Sequence, residues 1–585
     1  MEKEKGIIML FKELNGRLRE IKTITRPTAD GRGTITFKTF MVEIPFSSDT
    51  QIDVGKLLLV ETIRKGVYLI LEITDYIPQH FGMINLDGTI PPELRNEIMR
   101  RIEETWNTNQ AWIDVIATPV GYIMKEEDGK IEFKKGYVPP LPASKVKLFT
   151  SEALEKFIFY PEGTILGKSV NEEIDLKVNL LKAINYHIGV FAYTGSGKSN
   201  LTSLIVRRAL NKYKDLKVVI IDVSMEYSIL LLDELLSLNS RLVTLDRLPS
   251  NELDAGKRLL RTHVLPEELE DVRESIRKGF IKLYTEQKLR RLYIPPQGIS
   301  YLSYGTLIEM IRSQIEDKYV STSQKPLFMA LLQSLDNLMR ERKLTKDDIV
   351  DDTINPLLRE AEEKAREAGV RDGSVIFTFL SSIKTYIQVK PSEVEEYDVE
   401  SLAIEILDQD PSSPRLFVVE TPNIDDARLV THLLIENIYM RRKRAYSSLP
   451  VILFVLDEAQ EFIPFETRQK DYTEQSSSSV EKLLRHGRKY HLHALISTQR
   501  LAYLNTNVLQ QIHTYFVSTL PRPYDRQLIS DTFGISDSLV DRTLNFDIGQ
   551  WLLISFKAAL KEDIPVMFKA ENNVQELKEN LKRYT

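Results

Sequence analysis

The chain contains no cysteine. Disulfides and thiolate metal sites are therefore excluded. Its eight histidines never fall in an H-x-x-x-H spacing, and His491 and His493 lie on one predicted strand, so no structural metal is expected. No apolar run reaches the roughly 18–20 residues of a membrane span. The opening "MEKEKGIIMLFKELNG" has too short an apolar stretch for a secretory signal. The expectation is a soluble, cytoplasmic protein without membrane association. Positive charge is not in excess either. A net charge of −6 excludes a uniformly basic nucleic-acid coat, but a local basic channel remains compatible with it. Absent cysteine with abundant Lys, Glu and Ile leans towards a thermophile. What is present is a globular composition, 42% hydrophobic and 28% charged, in 585 residues, which is too long for one core and predicts three or four domains.

Residues 1–150 are rich in short strand-like runs, "GTITFKTFMVEIPF", "KLLLVETI" and "GVYLILEITDYIP", separated by Gly, Asp, Ser and Pro turns. "WIDVIATPVGYIM" (112–124) reads as a further strand pair, and "PPELRNEIMRRIEETW" as a helix with Pro at its start. An N-terminal small β-barrel or sandwich fits, closed by the proline-rich "YVPPLPASKV". Residues 151–232 change character. "YHIGVFA" is a strand, "SNLTSLIVRRALNKY" has helical spacing, and "LKVVIIDV" is a strand of the kind buried on both faces. That β-α-β unit predicts a parallel sheet. Residues 233–404 read as a helical insertion, and 405–570 as the second part of the same core, with strands at "RLFVVET", "VILFVLDE", "HALIST", "TYFVSTL" and "QWLLISF". The segment 571–585 is a charged helical tail, and "EQSSSSVEK" (474–482) reads as a flexible loop.

"FAYTGSGKSN" is a P-loop in its second half only, because Ala192 stands at the first glycine position of G-x-x-x-x-G-K-[ST]. Successive backbone N–H groups of Thr194, Gly195, Ser196, Gly197, Lys198, Ser199 and Asn200 would cradle ATP phosphates. Lys198 would reach the β- and γ-phosphates, and the Ser199 hydroxyl would ligate Mg²⁺. A methyl at Ala192 is compatible with the loop if φ there is negative. "VILFVLDEAQEF" sends Asp457 and Glu458 out of a strand end, the first to hold Mg²⁺ and the second to polarise the attacking water; the plainer reading is two acids capping a helix. Asp222, with Glu226 and Tyr227 after it, should face the same sheet edge as a supporting acid. Gln499, at the end of "LISTQR", is placed to sense the γ-phosphate or orient water. In "LLRHGRKYH", one of Arg485, Arg488 and Lys489 could act as an arginine finger, in cis or in trans, or all three could be a solvated helix end.

The order of "ILGKSVNEEIDLKVNLLKAINYHIGVFAYTGSGKSN", "IIDVSMEYS", "FVLDEAQEFIP", "RHGRKYHLHALISTQR" and "FDIGQWLLIS" resembles the HerA family, ring ATPases of the HerA/FtsK branch of P-loop proteins. The resemblance implies an α/β, RecA-like P-loop ATPase core. It also implies a hexameric ring that translocates or unwinds double-stranded DNA in end processing or repair, and, in archaeal members, a NurA-type nuclease as partner. By motif position Lys198, Ser199, Asp457, Glu458 and Gln499 take the nucleotide roles, and Arg488 falls on the arginine-finger position. Three departures stand out: Ala192, the turn "DVSMEY" without a His-Gly, and Tyr186 where some members carry a second arginine. They suggest a diverged paralogue. DNA contacts are expected from Arg468 and Lys470 in the loop 463–480, and from Arg500 after Gln499. Competing readings are a translocase for another polymer, of conjugation or secretion type, and a nucleotide-gated assembly platform. The acid pair Asp457–Glu458 speaks against a dead switch.

Overall fold

The computed structural model describes residues 11–584 apart from 29–32, 48–51, 85, 87–89, 128–129, 172, 247, 249–250, 255, 258–262, 264, 295–301, 317–319, 347, 349, 372–373, 389–396, 446 and 466–471. The first sheet is built from β1 (Phe11–Pro27), β2 (Thr34–Pro45), β3 (Leu57–Glu61), β4 (Val67–His80), β5 (Ala111–Glu127), β6 (Lys130–Lys135) and β7 (Lys145–Phe149); burial alternates along β2, whereas β3 and the first half of β4 are buried almost throughout. All its pairings are antiparallel, in the order β2-β1-β7-β3-β4-β5-β6, and β2 also pairs with β5. Phe40, Val42, Leu58, Val60, Leu69, Leu71 and Val115 fill its core. The expected strand pair at 112–124 is instead one continuous strand, β5. Pro119 and Gly121 read as a turn, but β5 runs through them still paired with β4: the extra residues between Pro119 (opposite Leu71) and Ile123 (opposite Leu69) bulge out of β5 itself, and β4 carries a compensating bulge between Ile73 and Asp75.

The second sheet has twelve strands in the order β13-β12-β14-β11-β15-β16-β10-β17-β18-β19-β8-β9. These are β8 (Thr164–Ser169), β9 (Asp175–Val178), β10 (Ile188–Phe191), β11 (Leu216–Asp222), β12 (Ser240–Thr244), β13 (Leu289–Arg291), β14 (Leu416–Glu420), β15 (Val451–Leu456), β16 (Leu492–Thr498), β17 (Thr514–Val517), β18 (Gln550–Ser555) and β19 (Val566–Ala570). From β12 through β17 the neighbours run parallel; β18, β19, β8 and β9 continue antiparallel. Strands β11, β14 and β16 are buried along their whole length, as unbroken apolar runs require. All seven parallel strands therefore end at one edge. The P-loop and both acid motifs leave from that edge.

Residues up to Arg290 and from Glu405 onwards form one compact unit, and Arg291–Ile404 form another. The second holds helices Tyr304–Glu316, Lys325–Arg342, Asn355–Glu367 and Val375–Gln388 around Ile311, Phe328, Leu335, Leu358 and Leu380. The segregated helical unit thus starts later than residue 233. The intervening stretch adds β12 and β13 to the large sheet, and its helix Arg273–Thr285 sinks Ile276, Phe280 and Leu283 into the main core. Strands this short escape a periodicity reading. The serine run at 474–482 is also not a loop. It lies in the helix Thr473–His486, where buried Ser476 and Ser477 donate to the carbonyl of Phe462 at 3.0 and 3.3 Å. Side chains this small, tied to that carbonyl, hold the helix close against the strand-end loop. Among the described residues no helix is long and apolar enough to cross a membrane.

The helix Lys198–Lys212, which follows the P-loop, is clamped by the helix Asn573–Leu581. Fully buried Arg207 donates to Asn573 Oδ1 (2.7 Å), to both oxygens of Asp233 and to Glu234 (3.1 Å). Arg208 reaches Glu571 and Glu576, each at 2.8 Å. Arg207→Met should lower stability by about 3–5 kcal/mol, because it strands two buried carboxylates without a counter-ion. A thermal denaturation midpoint within about 1 °C of wild type would show that the cluster relaxes without the arginine.

Candidate nucleotide site

The loop between β10 and the helix Lys198–Lys212 turns on Gly195 (φ 85°) and Gly197 (φ 96°), both left-handed. A side chain at either would be strained by the backbone rather than by crowding. Ala192 is not a left-handed residue. Its methyl is fully buried, and its N–H donates to the carbonyl of Thr498 at 3.3 Å. The missing first glycine is thereby explained, because the chain is still in extended pairing with β16 at that point. On its other side the loop leans on the turn before β18, where Gly549 N–H donates to Ser196 O at 3.1 Å.

Lys198 Nζ bonds Asp457 Oδ1 at 2.5 Å and Glu458 Oε1 at 2.8 Å. Burial by itself would lower the pKa of this ammonium, but the two carboxylates outweigh it and hold the pKa up. Asp457 is almost wholly buried and also accepts from Ser497 Oγ and the Glu458 N–H. Glu458 takes a left-handed φ of 51°, uncommon for a side chain of its size. That twist keeps its carboxylate over the P-loop. Gln460 Nε2 donates to Glu458 Oε2 at 2.9 Å, and Gln499 Nε2 lies 3.4 Å from Glu458 Oε1. The other end of Gln499 accepts from Thr194 Oγ1. Thr194, Lys198, Asp457, Glu458 and Gln499 therefore form one connected group at the exits of β10, β15 and β16.

Asp222, at the exit of β11, faces the same edge. Its oxygens accept the N–H groups of Tyr227 (2.8 Å) and Glu226 (3.3 Å), and Ser224 Oγ stands 3.4 Å from Asp222 and 3.5 Å from Asp457. Burial, with the nearby charge of Glu420, pushes the Asp222 carboxyl up to about 7. It shapes the turn beneath the acid pair. Among the described residues no hydrogen bond ties the Glu226 carboxylate to Lys198.

Three expected residues are not brought into this group. Asn200 is turned away: its amide donates to Glu571 O (3.0 Å) and accepts the Asn573 N–H (2.8 Å). Arg485 pairs with Glu481 at 2.6 Å, one helical turn back. Arg488 precedes β16, whereas Gln499 follows it, so the two lie at opposite edges of the sheet. There Arg488 donates to the Tyr186 hydroxyl at 2.7 Å, with its guanidinium carbon 3.9 Å from that ring's centre, and Tyr186 stacks on His513. Arg468 and Lys470 lie outside the described residues, and Arg500 is exposed just past Gln499. Ser497 and Gln460 are site residues that pattern reading passes over. Their signal was present in "LISTQR" and "DEAQEF", as polar groups at strand ends already read for Gln499 and Glu458.

The donor set suits a magnesium ion carried by a nucleotide. Among the described residues no three His, Cys, Asp or Glu side chains are grouped to hold a metal on their own. One hydroxyl (Ser199) and one carboxylate (Asp457) are hard oxygen ligands, and phosphates with water complete the shell of such an ion.

Residues 163–370 match the family described as "Helicase HerA, central domain". The DNA double-strand break repair helicase HerA of Sulfurisphaera tokodaii is 21% identical over 514 residues, covering 86% of this chain and 88% of that protein. The chain is thus similar to the HerA helicases over most of its length. A probable helicase of Methanocaldococcus jannaschii is likewise 21% identical, over 528 residues and 86% of both chains. Among solved structures, VirB4 of Thermoanaerobacter pseudethanolicus overlaps 70% of this chain and 97% of its own chain, at 15% identity and a TM-score of 0.41. The bacterial conjugative coupling protein TrwB covers 72% and 92%, at 12% identity and a TM-score of 0.36.

Proposed function

We propose that this chain is an ATP-driven translocase or helicase on double-stranded DNA, of the HerA type, acting in DNA end processing or repair. The observation that carries the reading is the group Thr194, Lys198, Asp457, Glu458 and Gln499 at one sheet edge. In this reading residues 151–290 and 405–570 are a RecA-like ATPase core, 1–150 a β-barrel with linker, 291–404 a helical insertion and 571–585 a tail. The working assembly is a homo-oligomeric ring, hexameric by resemblance, with a NurA-type nuclease as candidate partner.

The ion pairs of Lys198 with Asp457 and Glu458 bear on how the site works. Lys198 neutralises Asp457 and Glu458 until phosphates arrive and take the ammonium over. Both carboxylates are then released for their tasks. Ser199 and Asp457 would hold Mg²⁺, which neutralises charge on the β- and γ-phosphates when bound. Glu458 accepts the proton of a water as that water's oxygen bonds the γ-phosphorus. The bond from phosphorus to the bridging oxygen breaks, and ADP keeps that oxygen. Gln499, held between Thr194 and Glu458, orients the water.

Glu458→Gln should bind ATP normally and hydrolyse it about 10²–10⁴-fold more slowly, as loss of a general base predicts. Single-turnover hydrolysis at the wild-type rate would move the base elsewhere, with Glu226 next to examine. The reading as a whole is tested by ATPase rates with and without linear duplex DNA. Stimulation supports the motor, and a slow, DNA-indifferent rate supports an assembly platform instead.

A further inference from the structure

The loops leaving β15 and β16 are joined just beyond the nucleotide site. Phe465 N–H donates to Tyr503 O at 2.8 Å, Asn505 N–H donates to Ile463 O at 3.1 Å, and Pro464 bridges Leu504. The buried carboxylate of Asp525, in the first turn of the helix Pro523–Phe533, accepts the Ala502 N–H at 2.9 Å. Three segments are thereby fixed into one shelf. It presents Phe465 (62% exposed), Tyr503 (53%) and Tyr524 (44%) to solvent. Exposed Arg500 and Arg522 flank the Tyr503 ring, their guanidinium carbons 6.0 and 5.7 Å from its centre. Among the described residues no salt bridge engages either guanidinium.

Scattered exposed aromatics need no explanation. Three on one hydrogen-bonded shelf, with two exposed guanidiniums beside the central ring, are a different matter. The combination of positive charge and open aromatic faces complements a polymer that carries phosphates and exposed base faces. A duplex hides its base faces in the stack; an unpaired strand displays them. We propose that this shelf binds single-stranded nucleic acid by stacking a base on Tyr503, with Arg500 and Arg522 on the flanking phosphates. The proposal rests on the DNA-motor reading and adds a strand-specific contact to it. The shelf is also next to the chemistry. Arg500 follows Gln499, which bonds Thr194 and approaches Glu458, so a change at the γ-phosphate reaches the shelf through one peptide unit.

The test is fluorescence anisotropy on the full chain with three labelled probes: an oligothymidylate, an abasic strand of the same length and a duplex. Tyr503→Ala should weaken oligothymidylate binding about 5- to 100-fold, the effect of one lost stacked base. Abasic strand and duplex should stay within about twofold, and Tyr503→Phe should restore most of the loss, since stacking needs the ring and not the hydroxyl. Arg522→Ala should weaken oligothymidylate and abasic strand alike. Melting temperatures of the variants guard against misfolding. Four results would overturn the shelf: no loss for Tyr503→Ala, equal loss on the abasic strand, no rescue by phenylalanine, or a change of assembly size in place of a change in binding. If any of these occurs while the wild type binds duplex and is stimulated by it, the motor reading survives without the shelf. A wild type that neither binds nor responds to any probe sinks both.

Discussion

Lys198→Ala is expected to abolish ATP turnover and to lower ATP affinity about 10- to 150-fold. The second figure follows from losing one charged hydrogen-bond donor on the phosphates, about 1.5–3 kcal/mol. The first follows from geometry. Lys198 is the cation that lets Asp457 and Glu458 lie next to each other, at 2.5 and 2.8 Å from its ammonium. Without it, two carboxylates, one of them nearly fully buried, repel across the site that ATP must enter. The variant should therefore lose more than a contact: its acid pair should splay or take up a proton. Calorimetric titration with ATP and steady-state hydrolysis check both halves. Undiminished turnover would remove the P-loop from the mechanism, whatever the affinity did.

Arg488→Ala is expected to keep ATP binding and lose about 10³–10⁵ in rate, the contribution of a guanidinium on the transferring phosphoryl group. The fold dictates where that contribution must come from. Seven residues of β16 separate Arg488 from the P-loop edge, a rise of about 20 Å at the usual strand pitch. No arginine spans that distance, so Arg488 cannot serve the Lys198 of its own chain. Tyr186 holds it at that far edge instead, through a hydrogen bond and a face contact. Arg488 therefore suits a neighbouring chain's nucleotide. Mixing Arg488→Ala with Lys198→Ala, each nearly inactive alone, should recover ATPase, because some interfaces then combine an intact P-loop with an intact arginine. Full activity of Arg488→Ala by itself would show that the residue only anchors Tyr186. Failure to recover activity in rings proven to be mixed would mean that turnover needs every interface intact.

The nucleotide group was legible in the sequence because its parts are local. A glycine turn, two acids at the end of an apolar strand and a glutamine after another each announce themselves within about ten residues. The parallel sheet was legible for the same reason, from unbroken apolar runs such as "LKVVIIDV". What stayed hidden depends on partners distant in the chain. Nothing near Asn200 shows that residues 571–573 will take up its amide. Nothing near Pro119 shows that β5 will bulge there and stay paired with β4 on both sides. The serine run reads as a loop until the Phe462 carbonyl that satisfies it is in view. That Arg488 lies at the far edge of the sheet from Gln499 turned on strand direction, which the motif does not encode.

The place of β10 in the sheet also sets an order of events during folding. It is hydrogen-bonded on one side to β16 and on the other to β17, both roughly 300 residues further along the chain. Closing a loop of that length costs about 2 kcal/mol more than closing an ordinary 30-residue β-α-β crossover. Local pairings such as β17 with β18 can form early, whereas the wholly apolar β10 has no strand beside it until the far segment arrives. The nucleotide loop is thus among the last parts of the chain to gain its shape. In the interval "IGVF" is an open, sticky edge on both sides, the kind of segment that draws chaperones or aggregation.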